Sequence, residues 1–389
     1  MEYTIRSLGS FSEMKYGKMP NKNMISDEGK YPIFSGYRVV GYCDECNIEE
    51  QQLIVVARGV GGTGDVKLSP GACYLTNLSI AVLVDESVAL KKYLYYYFLK
   101  NNLRYLDSGS AQSQITIADL KNVEVPLPTL ETQKKVVSIL NTIDEKISNN
   151  IAINDNLQQQ AQALFKEWFI DNPDVSSWKE GTFSDLIEKT ISGDWGKDTP
   201  SGNNTEMVYC IRGADIPEVR AGNKGKMPTR FILPKNYTSK RLVDGDIVVE
   251  ISGGSPTQST GRATAVSTAL LDRYDKGMVC TNFCKALKPI AGYSMYVYHY
   301  WLHLYDIGVF FSYENGTTGI KNLDINGFIE TEPIIIAPAT LVEKFDAFCQ
   351  SVFSKIYSNG LENEQLALVR DTLLPKLMTG EMDVSNVEI

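Results

Sequence analysis

The sequence predicts an α+β protein in which one domain is used twice and each copy is followed by one long helix. Three observations predict this class. A heptad pattern recurs 209 residues along the chain, strand-and-loop motifs recur about 205 residues along it, and short β-branched strands alternate with Gly-rich loops. The 389 residues are enough for two or three domains. We divide the chain into residues 1–128, 129–177, 178–337 and 338–389.

The composition is that of an ordinary globular protein, with 43% hydrophobic and 22% charged residues. No apolar run is long enough to cross a membrane, and the first residues lack the apolar core of a secretion signal. Seven cysteines are an odd number, in a chain too long to need disulfide staples. These features predict a reduced, cytoplasmic protein.

The first domain, residues 1–128, combines short strands, polar loops and an aromatic helix, and residues 178–337 repeat this order. Each copy has a β-branched strand, a Gly-rich loop, a Thr-Asn-apolar segment, an aromatic helix and a second Gly-rich loop. In the first copy they are Leu53–Val56, Arg58–Gly64, Leu75–Leu78, Tyr95–Leu99 and Ser108–Ile115; in the second, Asp246–Val249, Ser252–Ser255, Cys280–Phe283, Tyr298–Leu302 and Asn315–Ile320. This order predicts a duplicated α+β domain.

The two helical segments, residues 129–177 and 338–389, carry matching heptad seams with paired polar positions. The matching positions are Asn150, Asn154 and Leu157 in the first helix and Asn359, Asn363 and Leu366 in the second. Asparagines in an apolar seam cost stability and serve to set register and partner. The two helices are therefore expected to pack against each other, which predicts a pseudo-two-fold particle. Two unrelated amphipathic helices are the alternative.

Proline and glycine mark the limits of these helices. Pro128 and Pro338 stand at their entries, because the residue before a proline is pushed out of the helical region. Gly360 falls in the middle of the second helix, where glycine costs about 1 kcal/mol relative to alanine. We expect a kink or break there.

The net charge of −9 is unevenly distributed. Seven of the nine excess negative charges lie in residues 129–177 and 338–389, so the two large domains are close to neutral. A stretch from Arg220 to Arg241 carries seven basic residues and no acid. An acidic total therefore does not exclude a DNA-facing surface on the large domains. A solvated loop is the alternative interpretation of the basic stretch.

The chain lacks several catalytic motifs. Asn172–Val175 has neither the second proline nor the aromatic residue of an amino-methyltransferase tetrapeptide. The glycines of Gly59–Gly64 are followed by Asp65 instead of Gly-Lys-Ser/Thr, which excludes a P-loop. No acidic-x-Lys triplet follows Pro173 and Asp174, as a nuclease site would require. We expect no catalysis by this chain.

Metal-binding and redox motifs are also incomplete. Cys43 and Cys46 lack a second cysteine pair, and no acidic residue lies between His299 and His303. The Gly-Ser-Thr-Gln loops instead favour DNA recognition. Their amides and hydroxyls suit phosphates, whereas Arg, Asn and Gln suit base edges. Any surface loop is polar, however, so the composition of the loops alone leaves the ligand open.

Three segments resemble one protein family. They are Lys30–Gly36 (KYPIFSG) with Val40–Tyr42 after it; Gln112–Thr116 leading to Val125–Lys135 (VPLPTLETQKK); and Leu373–Val384 (LLPKLMTGEMDV). On these motifs the chain resembles the specificity subunit of type I restriction-modification enzymes over essentially its whole length.

The resemblance implies two target-recognition domains, each reading one half of a split DNA sequence, with the two helices as an antiparallel coiled-coil spacer. It further implies two partner modification subunits that carry S-adenosylmethionine and methylate adenine, and restriction subunits that use ATP and Mg. This chain itself would hold no cofactor or metal. A subunit of a methylation-only complex and a coiled-coil protein adaptor are the alternatives.

We expect individual DNA contacts from the polar loops and strand ends of both domains. The predicted residues are Ser35, Arg38, Arg58, Thr63, Ser110, Gln112 and Gln114 in the first domain, and Arg212, Ser255, Gln258, Arg262, Thr317 and Lys321 in the second. A loop residue that bonds its own turn is the alternative for each. The helices are expected to set the gap between half-sites, so one heptad inserted after Leu157 should change that gap.

Overall fold

The computed structural model describes residues 3–59, 62–107, 113–255, 257–316 and 320–387. The chain divides into two compact units. The first unit comprises residues 1–145 and 366–389, and the second comprises residues 146–365. Both units mix strands and helices, so the predicted α+β class is confirmed.

The first unit contains a four-stranded sheet, a three-stranded sheet and a two-stranded pair. The strand orders are β2-β8-β5-β6, β4-β3-β7 and β1-β9. The strands are β1 (Thr4–Ser7), β2 (Ser12–Tyr16), β3 (Tyr31–Phe34), β4 (Val39–Cys43), β5 (Leu53–Val56), β6 (Val66–Leu68), β7 (Tyr74–Leu75), β8 (Ser79–Val84) and β9 (Glu124–Leu127); the short helices are α1 (Lys91–Lys100) and α2 (Ile117–Lys121).

The core of the first unit lies between the four-stranded sheet and helix α1. Every residue of β5 is fully buried, which matches its run of apolar and β-branched side chains. Helix α1 buries Tyr93, Leu94, Tyr96 and Phe98 on this side. The aromatic segment predicted as a helix therefore supplies the largest side chains of this core.

The second unit repeats the same strand orders. They are β11-β18-β14-β16, β13-β12-β17 and β10-β21, with a further small sheet β15-β20-β19. The strands are β10 (Lys179–Thr182), β11 (Ile187–Ser192), β12 (Glu206–Ile211), β13 (Thr229–Ile232), β14 (Ile247–Glu250), β15 (Ser252–Gly253), β16 (Ala263–Ala265), β17 (Met278–Cys280), β18 (Cys284–Pro289), β19 (Glu314–Asn315), β20 (Lys321–Leu323) and β21 (Pro333–Ile336). The short helices are α4 (Ile216–Arg220), α5 (Pro234–Lys240), α6 (Thr268–Leu271), α7 (Ser294–Asp306) and α8 (Ile325–Thr331).

The pairing directions in the two units agree as well. In the first unit β3 pairs antiparallel with β4 and parallel with β7; in the second, β12 pairs antiparallel with β13 and parallel with β17. Identical order and direction in sheets of different sequence confirm the predicted duplication of one domain.

Two long helices, α3 (Leu130–Phe165) and α9 (Ala339–Thr379), pack together in each unit. In the first unit Val136 and Leu140 share a core with Leu374 and Leu377. In the second unit Phe165 packs on Phe345, with ring centroids 5.7 Å apart. The start of α3 thus packs against the end of α9, and the end of α3 packs against the start of α9. The helices are therefore antiparallel, as predicted.

The expected break at Gly360 is wrong, because α9 continues through this residue. The reason is a close backbone approach. A Cβ atom at position 360 would lie 1.8 Å from the carbonyl oxygen of Gly222. Glycine therefore lets the loop after α4 lie directly on the helix. In the part of the chain that the structure describes, no helix is long and apolar enough to cross a membrane.

Candidate nucleic-acid interface

Three segments of the first unit meet at the end of strand β5. The amides of Ala57 and Arg58 both donate to the carbonyl of Leu78, at 2.8 and 3.1 Å. Arg58 also forms a β-bridge with Gln114, and the amide of Ile115 donates to the carbonyl of Ala57 at 2.9 Å. The sheet end thus brings together residues that are far apart in the sequence.

The predicted DNA-contact residues of the first unit differ in how exposed their side chains are. The side chains of Arg38 and Arg58 are exposed, and that of Gln114 is half-buried. Ser35 and Thr63 are buried, and their hydroxyls donate to the carbonyls of Arg38 and Gly59, each at 3.0 Å. These two residues therefore shape their own loops. The predicted contacts Ser110 and Gln112 lie outside the described residues.

The acidic residue Asp107 forms hydrogen bonds with Ser113 and Gln114. The carboxylate of Asp107 accepts the hydroxyl of Ser113 at 2.5 Å and the amide of Gln114 at 2.9 Å. Charged acceptors make the stronger class of hydrogen bond. Asp107 therefore holds Gln114 beside Arg58.

The second unit has the same convergence of segments. The amide of Ile251 donates to the carbonyl of Phe283 and the amide of Leu323 donates to the carbonyl of Ile251, both at 2.9 Å. Ser252 pairs with Asn322 across β15 and β20. Ser252 and Asn322 thus occupy the positions that Arg58 and Gln114 hold in the first unit.

Ser252 and Asn322 were missed by the sequence analysis. Their hydrogen-bond pattern, with Oγ of Ser252 donating to Oδ1 of Asn322 at 2.5 Å, matches the bridge of the first unit in position. The sequence feature that could have identified Ser252 and Asn322 is the repeat, which aligns them with Arg58 and Gln114. It was obscured because the Gly-rich loops between matching strands differ in length.

Two predicted arginines of the second unit are held by internal carboxylates. Nε and Nη2 of Arg262 donate to both oxygens of the buried Glu250, at 2.8 and 2.7 Å. Nε and Nη2 of Arg212 donate to both oxygens of the buried Asp215, at 2.8 and 3.0 Å. Each guanidinium is therefore held in place by a bidentate ion pair through Nε and Nη2.

The electrostatics agree with these ion pairs. Hydrogen bonds to Glu250 raise the pKa of Arg262 above its ordinary value, and those to Asp215 do the same for Arg212. Burial raises the pKa of Asp215, but the hydrogen bonds from Arg212 and from two backbone amides outweigh it, so this pKa lies below its ordinary value. The carboxylate form is therefore the stable one.

Lys321 is also paired within the second unit. Its Nζ donates to Glu314 at 2.6 Å, and Glu314 accepts the amide and the hydroxyl of Thr260 at 2.6 and 3.0 Å. Burial raises the pKa of Glu314, but the hydrogen bonds from Lys321 and Thr260 hold it below its ordinary value. Glu314 thus bonds the residue before Asn322, as Asp107 bonds the residue before Gln114 in the first unit.

The other predicted residues of this unit lie in one turn. Ser255 and Gln258 form a β-bridge, in which Ser255 accepts the Gln258 amide through its side chain at 3.0 Å. Gln258 is exposed. Thr317 lies outside the described residues.

The basic stretch Arg220–Arg241 divides into structural and exposed residues. Arg230 is buried, lies 4.1 Å from the ring centroid of Trp195 and pairs with Asp198. Lys240 donates to the carbonyl of Gly193 at 3.0 Å. The exposed members are Lys226, Lys235 and Arg241. The stretch is therefore only partly a solvated surface.

The paired helices bring the four seam asparagines together in the second unit. Nδ2 of Asn150 donates to Oδ1 of Asn363 at 2.9 Å, and Nδ2 of Asn359 donates to Oδ1 of Asn154 at 2.8 Å. Each asparagine of one helix thus bonds the non-equivalent asparagine of the other, as antiparallel copies of one pattern require.

The pairing extends to the loop after α4. Nδ2 of Asn154 donates to the carbonyls of Ala221 and Ile356, at 3.1 and 3.0 Å. This bond lies next to the close approach of Gly222 to Gly360. Leu157 packs on the core of the second unit, and Leu366, in the first unit, is half-buried.

His299 is hydrogen-bonded to Gln162 inside the second unit. Nδ1 of His299 lies 2.9 Å from Oε1 of Gln162, and Nε2 of Gln162 lies 3.3 Å from the carbonyl of His299. His299 lines a cavity of about 200 Å³, with Arg220 and Asp306 among the other lining residues. Within the described ranges, no three His, Cys, Asp or Glu side chains could together hold a metal ion.

The chain is similar in sequence to one group of known proteins. The family described as "Type I restriction modification DNA specificity domain" matches residues 1–159. The Type I restriction enzyme MjaIX specificity subunit of Methanocaldococcus jannaschii is 27% identical over 80% of this chain and 74% of its own length. The HindI specificity subunit of Haemophilus influenzae is 24% identical over 77% and 79%.

A solved structure shares the fold. The crystal structure of the type I restriction-modification S subunit from M. genitalium aligns with 97% of this chain and 96% of its own, with a TM-score of 0.60 at 20% identity. The duplicated α+β unit and the antiparallel helices agree with this fold. In sequence, the chain is similar to specificity subunits of type I restriction enzymes, and its residues 1–159 match the DNA specificity domain of that family.

Proposed function

We propose that this chain is the DNA-recognition subunit of a type I restriction-modification complex and reads a bipartite DNA target. Residues 1–128 and 178–337 are the two target-recognition domains, and residues 129–177 and 338–389 form the spacer. One observation carries the proposal. Both units bring the same three segments to the end of the same strand, with Arg58 and Gln114 in one and Ser252 and Asn322 in the other.

The chemistry of these segments suits DNA. Exposed Arg38, Arg58 and Gln258 can contact base edges or phosphates, since arginine pairs with guanine and glutamine with adenine. Different residues at matching positions would let each unit read a different half-site. The acidic total charge is compatible with this role, because most of the excess lies in the helical segments.

The partners follow from the family. We propose that two modification subunits, which carry S-adenosylmethionine, dock on the acidic spacer helices and methylate adenine, and that restriction subunits using ATP and Mg join them in the cytoplasm. This chain would hold no cofactor and perform no chemistry. The names of the relatives, which are specificity subunits of restriction enzymes, support this division of labour.

Methylation mapping tests the proposal. The chain is co-expressed with its modification subunit in a host that lacks adenine methylation, and the host DNA is sequenced for methyladenine. A single split motif with a fixed gap is expected. A stable complex without any methylated motif would instead favour a protein adaptor. Cleavage assays with and without a restriction subunit distinguish a methylation-only complex.

A further inference from the structure

An exposed apolar side chain stands at the same place in both units. In the first unit Thr76–Ser79 forms a turn with Leu78 at its third position, and in the second Thr281–Cys284 forms a turn with Phe283 there. Leu78 is 37% exposed and Phe283 is 60% exposed. The residues at both ends of each turn are buried.

The hydrogen bonds of the two turns correspond one to one. The amides of Ser79 and Cys284 donate to the carbonyls of Thr76 and Thr281, at 3.3 and 2.9 Å. The amides of Leu78 and Phe283 donate to the threonine hydroxyls, at 3.5 and 3.2 Å. Both copies therefore hold the backbone of the third residue by the same hydrogen bond.

The fold gives no reason for an apolar residue at this position. Gly, Pro, Asn, Asp and Ser are the residues that dominate such turns, and large apolar residues are not among them. An exposed Leu or Phe also gains none of the stabilisation that burial of its side chain would bring. A single exposed leucine is ordinary in a protein, but a matched pair in a duplicated domain calls for a shared role.

The location of these turns indicates the role. The carbonyl of Leu78 accepts the amides of Ala57 and Arg58, and the carbonyl of Phe283 accepts the amide of Ile251, next to Ser252. Each apolar side chain therefore stands beside the segments to which we assign DNA recognition.

We propose that Leu78 and Phe283 are base-contacting residues, each packing against the apolar surface of a base pair in the half-site that its own unit reads. Two features of DNA offer such a surface: the thymine methyl group in the major groove and the face of a base at an opened step. The inference rests on the proposed function and adds to it the class of contact that the polar residues cannot make.

The test uses the complex with its modification subunits and DNA carrying the mapped target. Phe283→Ala and Leu78→Ala are compared with Ile307→Ala and Leu99→Ala, which remove similarly exposed apolar side chains, at 60% and 41%, outside the three segments. Ile307 is the C-cap residue of α7, and Leu99 lies in α1. We expect each turn variant to bind the target about tenfold more weakly and to relax one position of its own half-site only. The control variants should bind as wild type does.

A second experiment identifies the base surface. Thymines of one half-site are replaced by deoxyuridine, which lacks the methyl group. If the contact is to the methyl group, wild type binds the substituted half-site more weakly than the normal one. The matching alanine variant, which lacks the contact, binds both half-sites with the same affinity. If affinity changes only on alanine substitution, the contact is to a base face.

The possible outcomes distinguish failure of the proposed function from failure of the base contact. If wild type methylates no split motif, the proposed function fails and this contact fails with it. If wild type methylates a split motif and both turn variants keep its affinity and specificity, the contact alone is refuted. Melting temperatures equal to wild type ensure that a loss of binding is not a loss of folding.

Discussion

At the scale of single residues, two arginines predicted to contact DNA have different surroundings. Arg58 is exposed at the end of β5, whereas Arg262 is half-buried and bidentate on Glu250. Both arginines are DNA contacts predicted from the sequence. The structure distinguishes them because it shows which arginine already has a carboxylate within hydrogen-bond distance.

This distinction predicts opposite effects of two matched substitutions. Arg262→Ala leaves Glu250 buried without its partner and should lower the free energy of unfolding by about 1–3 kcal/mol. Arg58→Ala should leave unfolding within about 0.5 kcal/mol of wild type and weaken DNA binding by the complex. Urea unfolding and DNA titration measure the two effects. An unchanged unfolding midpoint in Arg262→Ala would contradict a structural role for that arginine.

His299 predicts a pH dependence of stability. Burial, assisted by the charge of Arg220, lowers its pKa from 6.5 to about 3. Between these values the unfolded chain binds a proton that the folded chain does not, so the free energy of unfolding falls as the pH drops from 6.5 towards 3, by up to about 1.4 kcal/mol per pH unit.

The check is His299→Gln, which removes the titrating group. Urea unfolding at pH 7 and at pH 5 should show a smaller loss of stability for this variant than for wild type, whatever its stability at pH 7. His303→Gln is the control, because His303 is less buried. Equal losses in wild type and His299→Gln would refute the assignment.

At the scale of elements, a heptad seam of mixed polarity determines how α3 and α9 pair. The asparagines predicted from the repeat bond crosswise, Asn150 with Asn363 and Asn154 with Asn359. The predicted break at Gly360 is wrong, because helix propensity is a local quantity. Glycine is at this position because the backbone of Gly222 lies too close to leave room for a side chain.

Gly360→Ala tests that explanation. Alanine favours a helix by about 1 kcal/mol over glycine, but its Cβ would collide with the carbonyl of Gly222. We expect a net destabilisation of about 1–3 kcal/mol, measured by urea unfolding. Gln365→Ala, at an exposed position of the same helix, should be neutral. A Gly360→Ala variant more stable than wild type would show that the contact is not required.

At the scale of the whole molecule, α3 and α9 each belong in part to both units. If these helices set the spacing between half-sites, a change in their length should change the gap in the DNA target. An insertion in α3 alone would put the residues on one side of it out of register with α9, because the two helices pack together in both units. A matched insertion in α9 is therefore needed.

We predict that one heptad inserted after Glu145, with one after Gln365, changes the unread gap and leaves both half-sites unchanged. Seven helical residues rise about 10 Å, which corresponds to about three base pairs of DNA. Methyladenine sequencing of a host expressing the variant measures the gap. The same gap in wild type and variant would exclude the helices as the spacer.

The fold class, the duplication and the helix pairing could be predicted from the sequence, because repeats and heptads are periodic patterns that can be recognised in the order of residues alone. The tertiary structure was needed to show which of the predicted polar side chains already bond within the protein. Glu250, Asp215 and Glu314 meet their basic partners through strand pairing and loop closure. It also paired Ser252 with Asn322 and exposed Leu78 and Phe283. Such contacts depend on how distant segments approach each other, and no local pattern of residues encodes that approach.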